Sequence, residues 1–273
     1  MIPFWISIAA LSLGQGATVA LSGAGAMAGL SRLRSRMWAT IPALSLIVFV
    51  LLAGAYANPS AKDLTYLALV AVPILAILCL GWLARGARPR NVLVVPVLFG
   101  LAWVDGGGLA GQGAASILVA LSCAALGTLL AALTPARWLA VGIVLMAVAD
   151  TALVISDLLQ APNDALNAAH PAGGLPMLQS ANFGSAVIGY GDLFVAGLLG
   201  ALLARSRPRA QLTGALLVAV FALAFDLLFL VVDELPATVP VAIALLVLAC
   251  FPRRRTSTAP RARSDLEDPV TLE

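Results

Sequence analysis

The sequence predicts an all-α polytopic membrane protein with about nine transmembrane helices, its N-terminus outside and its C-terminus in the cytoplasm. Three observations carry this. The 273 residues are 61% hydrophobic and only 11% charged, with a mean hydropathy of +1.01, whereas a soluble domain carries about 25% charged residues. Nine apolar runs follow one another, and all but one approach the roughly 20 residues that a helix needs to cross a bilayer. Arginine clusters fall after the first, third, fifth, seventh and ninth runs, and Lys62 is alone on the other side. Excess Lys and Arg mark cytoplasmic loops, which sets the orientation. Residues 1–251 thus read as one transmembrane domain, with an N-terminal set over 1–134 and a second set over 138–251. The polar tail, 252–273, reads as disordered and cytoplasmic.

The first span runs over about 2–30. It has no basic leader and is too long for a cleaved signal peptide, so it counts as a true span. Its second half, Gly14 to Gly29, is rich in Gly, Ala and Ser, which suits close helix packing. Arg32, Arg34 and Arg36 follow. The second span is about 37–57, and the third, about 64–84, precedes Arg85, Arg88 and Arg90. The fourth, about 91–104, is short enough to be re-entrant, and Asp105-Gly106-Gly107-Gly108 follows it. The fifth covers about 114–134 and the sixth about 138–160. A polar loop with Asp164, His170 and Pro171 leads to the seventh, about 183–204. The eighth is about 212–232 and the ninth about 235–251. Trp5 and Trp138 lie near span ends, where interfacial aromatics belong. Fifteen of the sixteen basic residues are arginine, a bias read as GC-rich bacterial coding, so the expected location is a bacterial plasma membrane. The net charge of +3 does not point to nucleic acid, because the basic residues sit in short turns. Cys79, Cys123 and Cys250 fall inside apolar runs, without disulfide or metal-ligand spacing.

Carboxylates inside such spans are costly and are functional-site candidates. Asp150, Asp157, Asp192 and Asp226 qualify. Asp150 is twelve residues in from Trp138, and Asp192 is twelve residues before Ala204. At about 1.5 Å per residue, both stand roughly 18 Å from the inner edge. Adjacent antiparallel helices would therefore hold two carboxyl groups at one level. Asp157, seven residues beyond Asp150 and on the same helical face, lies nearer the outside, as does Asp226, and both read as hydrated or hydrogen-bonded. Two like charges close together share one proton, which leaves one base to activate water and one acid to protonate a peptide carbonyl. The same pair is also compatible with a buried polar contact between helices, or with a proton or ion path.

Gly189-Tyr190-Gly191-Asp192 matches the Gly-x-Gly-Asp motif of intramembrane aspartyl proteases. The chain resembles the presenilin and signal-peptide-peptidase family over about 138–250. That family has nine spans, one catalytic aspartate in the sixth, Gly-x-Gly-Asp in the seventh, and Pro-Ala-Leu at the start of the ninth. Here Ala149-Asp150, Gly189 to Asp192 and Pro236-Ala237-Thr238 occupy those places. The resemblance implies that Asp150 and Asp192 are catalytic and that no metal or organic cofactor is needed. It implies substrate contact at Gly189, Tyr190, Gly191, Pro236, Ala237 and Thr238, the glycines giving room to an unwound strand. It departs from the family at Ala149, where a tyrosine is usual, and at Thr238, which replaces leucine. The orientation resembles that of signal peptide peptidases. Implied partners are the lipid bilayer and single transmembrane or signal-peptide helices with a cytoplasmic N-terminus. Two alternatives use the same residues. One is a proton-coupled transporter with the four aspartates as a relay, for which inverted repeats would be expected; none is evident. The other is a prepilin-peptidase-like protease, which shares Gly-x-Gly-Asp but not the nine spans or the Pro-Ala of the last span.

Overall fold

The computed structural model describes residues 4–25, 29–55, 57–206, 208–232 and 235–250. The expected tail 252–273, the arginine run 253–255, Arg207 and the pair 233–234 lie outside the described residues. Ten α-helices and one β-hairpin are described: α1 Phe4–Leu21, α2 Ile41–Ala55, α3 Ala57–Leu78, α4 Val94–Val104, α5 Leu109–Leu133, α6 Ala136–Ile155 and α7 Gln160–Ala168, then β1 Ser180–Phe183 and β2 Ala186–Gly189, then α8 Tyr190–Ala204, α9 Pro208–Asp226 and α10 Val239–Cys250. Among the described residues, five helices are long and apolar enough to cross a membrane: Phe4–Leu21, Ala61–Leu83, Leu109–Leu133, Ala136–Ile155 and Arg209–Leu230. Shorter apolar helices occupy the second, fourth, seventh and ninth expected spans. Large apolar side chains such as Leu51, Val97 and Leu216 face outward, as a surface solvated by lipid requires.

α5 and α8 form the centre. α5 packs along α8, α3 and α4, and α8 also packs on α1, α6 and α9. Small residues make this possible. A Cβ on Gly127 would run into the backbone of Gly197, and one on Gly197 would run into the Cys123 carbonyl. One turn further along α8, a Cβ on Gly200 would strike the backbone of Val19 in α1. Such glycine contacts let helix backbones approach closely, which replaces the absent hydrophobic drive between helices in lipid.

Helix ends are closed by side chains. Gln211 is fully buried and its Nε2 donates to the carbonyls of Val19 (2.8 Å) and Ser22 (2.6 Å) at the end of α1. Arg205, just past α8, donates to the carbonyls of Ala24, Ala131 and Thr134, and Arg34 also donates to Thr134. Arginines expected only as orienting charges thus also cap the C-terminal end of α5, whose last carbonyls lack helical partners.

The structure differs from the expected spans in four places. α1 stops at Leu21 rather than near residue 30. The fourth span is a helix of 11 residues preceded by a 3-10 turn from Pro89. α6 ends at Ile155, so Asp157 is not on the helical face of Asp150; it sits exposed in the following turn with φ +56°. The seventh span does not begin as a helix at Phe183. Residues 180–189 form the hairpin, with Ser180 paired to Gly189 and Phe183 to Ala186. Gly184 makes the two-residue turn at φ +61°, a conformation open to glycine. Val187 and Ile188 are β-branched, and burial alternates along β2, the pattern of a half-buried strand. The all-α expectation therefore holds except for this hairpin.

Replacing Gly197 with valine forces a side chain into the α5 backbone. It is expected to destabilise the fold by about 1–3 kcal/mol or prevent assembly. Gly14, whose added Cβ would meet nothing within 4 Å, is the control: Gly14→Ala should be neutral or gain up to about 1 kcal/mol. Thermal unfolding in detergent, followed by size-exclusion chromatography, measures both.

Candidate active site

Asp150 and Asp192 border one cavity of about 1030 Å³. Among the described residues, no lysine, arginine or histidine lines it. Each carboxyl group is delivered by a different local device. Asp150 lies on α6 and is only 7% exposed. Its Oδ2 accepts a hydrogen bond of 2.6 Å from Thr238 Oγ1. Asp192 is the third residue of α8 and half-buried. Its Oδ2 reaches back to accept from the Gly189 N–H at 3.2 Å. This is one half of a capping box, and it places a carboxylate in the positive first turn of a helix. The two expected catalytic aspartates are thus brought together, but Asp192 sits at a helix start rather than in mid-helix.

The hairpin sets the approach to Asp192. In a two-residue hairpin the pair next to the turn, Phe183 and Ala186, exchanges both bonds, and the pairs then alternate. The N–H and C=O of Val187 and Gly189 therefore point away from β1. The Gly189 N–H turned outward is the one that meets Asp192. Val187, Ile188 and Gly189 all border the cavity. The opposite edge of the hairpin is occupied: Ser116 Oγ on α5 donates to the Asn182 carbonyl at 2.9 Å. Gly184 N–H is held by Gln112 Oε1 at 2.7 Å.

Tyr190 borders the cavity, but its hydroxyl lies 3.1 Å from Ser122 Oγ on α5. It therefore points to the α5–α8 seam and does not replace the tyrosine absent at Ala149. Gly191 packs over Met146 of α6, with an added Cβ 3.6 Å from the methionine methyl. Pro236 accepts from the Val239 N–H at 3.1 Å in the turn before α10. Pro240 stands in the first turn of that helix, where its missing N–H costs nothing. Ala237 borders the cavity and its carbonyl accepts from Gln15 Nε2 of α1 at 2.8 Å. Thr238 is fully buried.

Ser12 and Gln15 of α1 were not among the residues singled out by sequence. Ser12 Oγ donates to Asp226 Oδ2 at 2.6 Å, and both border the same cavity. Their signal was present: polar side chains three apart on one face of an apolar helix. Asp157 does not border the cavity. Among the described residues, no group of three or more histidine, cysteine or carboxylate side chains converges to hold a metal ion. No protein-family model, no curated protein and no solved structure matches the chain.

The Tyr190–Ser122 contact is open to a double-mutant cycle. Tyr190→Phe and Ser122→Ala should each destabilise by about 1 kcal/mol. The double mutant should cost less than their sum, because both remove one interaction. Thermal midpoints of the four proteins in one detergent measure the coupling.

Proposed function

We propose that this chain is an intramembrane aspartyl protease that hydrolyses a peptide bond of a transmembrane or signal-peptide helix with Asp150 and Asp192. The observation that carries the reading is the pair itself. Two carboxyl groups, from α6 and α8, border one largely apolar cavity that no basic side chain among the described residues lines. Like charges in that setting share a proton, giving a base and an acid together. The base takes a proton from a water as its oxygen attacks the scissile carbonyl. The acid gives its proton to the carbonyl oxygen. Collapse of the tetrahedral diol then breaks the C–N bond as the nitrogen is protonated.

A helical peptide bond is shielded and already hydrogen-bonded, so the substrate must unwind before it is cut. The outer edge of β2, which pairs with no further strand among the described residues, supports this step. The outward N–H and C=O of Val187 lie two residues before Gly189, whose N–H meets Asp192, and offer an extended segment the partners that its helix gave up. Gly189 and Gly191 keep side chains out of the way. The other parts of the reading belong here as well: nine spans, the N-terminus outside, a bacterial plasma membrane, and substrates whose own N-terminus is cytoplasmic. The meeting of Arg34 and Arg205 at the Thr134 carbonyl supports a common side for the loops after the first and seventh spans.

A proton-coupled transporter is favoured by one observation, the presence of Asp164 and Asp226 in the same cavity. The exposed turn position of Asp157 breaks the four-carboxylate relay.

The test is cleavage of a tagged signal-peptide helix in liposomes. Asp150→Asn and Asp192→Asn are each expected to lower the rate by roughly 10²–10⁴-fold or beyond detection, with thermal midpoints near wild type. Proton flux across the same vesicles should be absent. Cleavage that survives in both variants, or flux that both abolish, overturns the reading.

A further inference from the structure

Thr238 stands directly before α10, and its carbonyl accepts the Ala242 N–H at 3.1 Å, so it holds the N-cap position of that helix. A threonine there ordinarily turns its hydroxyl oxygen toward backbone N–H groups of its own first turn. Here the hydroxyl instead spends its one proton on Asp150 Oδ2, across to α6. The 2.6 Å separation is that of a charge-assisted O–H···O⁻ bond. The segment is held from its other side by Gln15, which is 1% exposed and donates to the neighbouring Ala237 carbonyl. Thr238 cannot itself contact a substrate, because none of its surface is accessible.

We propose that Thr238 is a positioning residue that makes Asp150 the base of the pair. Its hydroxyl fixes Oδ2 and leaves Oδ1 to hold the attacking water. Asp192, with a single longer bond from Gly189, is the acid. In the first step Asp150 accepts a proton from water as the new C–O bond forms, and Asp192 protonates the carbonyl oxygen. In the second, Asp192 takes a proton back from the diol as C=O reforms. Asp150 gives its proton to the departing nitrogen, and the pair returns to its starting state.

This inference rests on the protease reading, so the experiment includes Asp150→Asn beside the Thr238 variants. Cleavage of the tagged signal-peptide helix in liposomes is followed against substrate concentration and pH. Thr238→Ser keeps the hydroxyl and should stay within about threefold of wild type. Thr238→Val keeps the volume but loses the donor. Its kcat should fall about 10- to 100-fold with KM within about twofold. The acid limb of its pH profile should move to higher pH, because the ionised base has lost a hydrogen bond. Should the valine variant not assemble, Thr238→Ala takes its place. A wild-type kcat and pH profile in the donor-free variant overturns the proposal. So does a raised KM with kcat unchanged, or an equal loss in Thr238→Ser. Wild-type cleavage by Asp150→Asn instead removes the protease reading beneath it.

Discussion

The rest of the structure depends on the contact of α5 with α8 at Gly127 and Gly197, where each backbone fills the space that a Cβ would need. Between helices in lipid, apolar side chains gain little by leaving their surroundings. Close packing and hydrogen bonds must do the work. Once α8 is fixed against α5, and against α1 through Gly200, its first turn has one possible position. Asp192 goes where that turn goes. The hairpin is tied to the same scaffold through Ser116 and Gln112, so the strand leading into Asp192 shares its frame.

A second constraint is the cost of unpaired polar groups in an apolar setting. The structure meets it with side chains that each serve carbonyls of another segment. Gln211 closes α1, Arg205 and Arg34 close α5, and Gln15 holds the turn before α10. These bonds also orient the helices. The Gln15 and Thr238 bonds join α1, α10 and α6 in one chain that ends at Asp150. Asp150 is thereby held on a helix position rather than on a loop, and support of that kind fixes the geometry of its carboxyl group.

The cavity combines features that work against each other. Asp150, Asp192, Asp226 and Asp164 of α7 all border it, yet most of its wall is apolar and no basic side chain among the described residues answers them. Ser12 donates to Asp226, Gly189 to Asp192 and Thr238 to Asp150, each to one carboxyl oxygen. That leaves acceptor capacity facing the cavity, where water or an unwound peptide can use it.

The sequence by itself determined the membrane class and the helical character, because composition and run length answer directly to the bilayer. It also marked the aspartates that the fold must accommodate, since an aspartate in an apolar run is costly wherever the fold puts it. Periodicity and hydropathy do not separate a short apolar strand from the start of a helix. The hairpin at 180–189 was therefore hidden inside an apolar run, and Asp192 read as mid-helix. The end of α6 was hidden for the same reason, so Asp157 was placed on a face it does not share. Tertiary structure alone decided that Thr238 meets Asp150, that Tyr190 turns to Ser122, and that Ser12 and Gln15 reach Asp226 and Ala237. These partners are separated by up to 222 positions in the chain, and long-range hydrogen bonds of that kind follow from helix packing, which no local pattern of residues encodes.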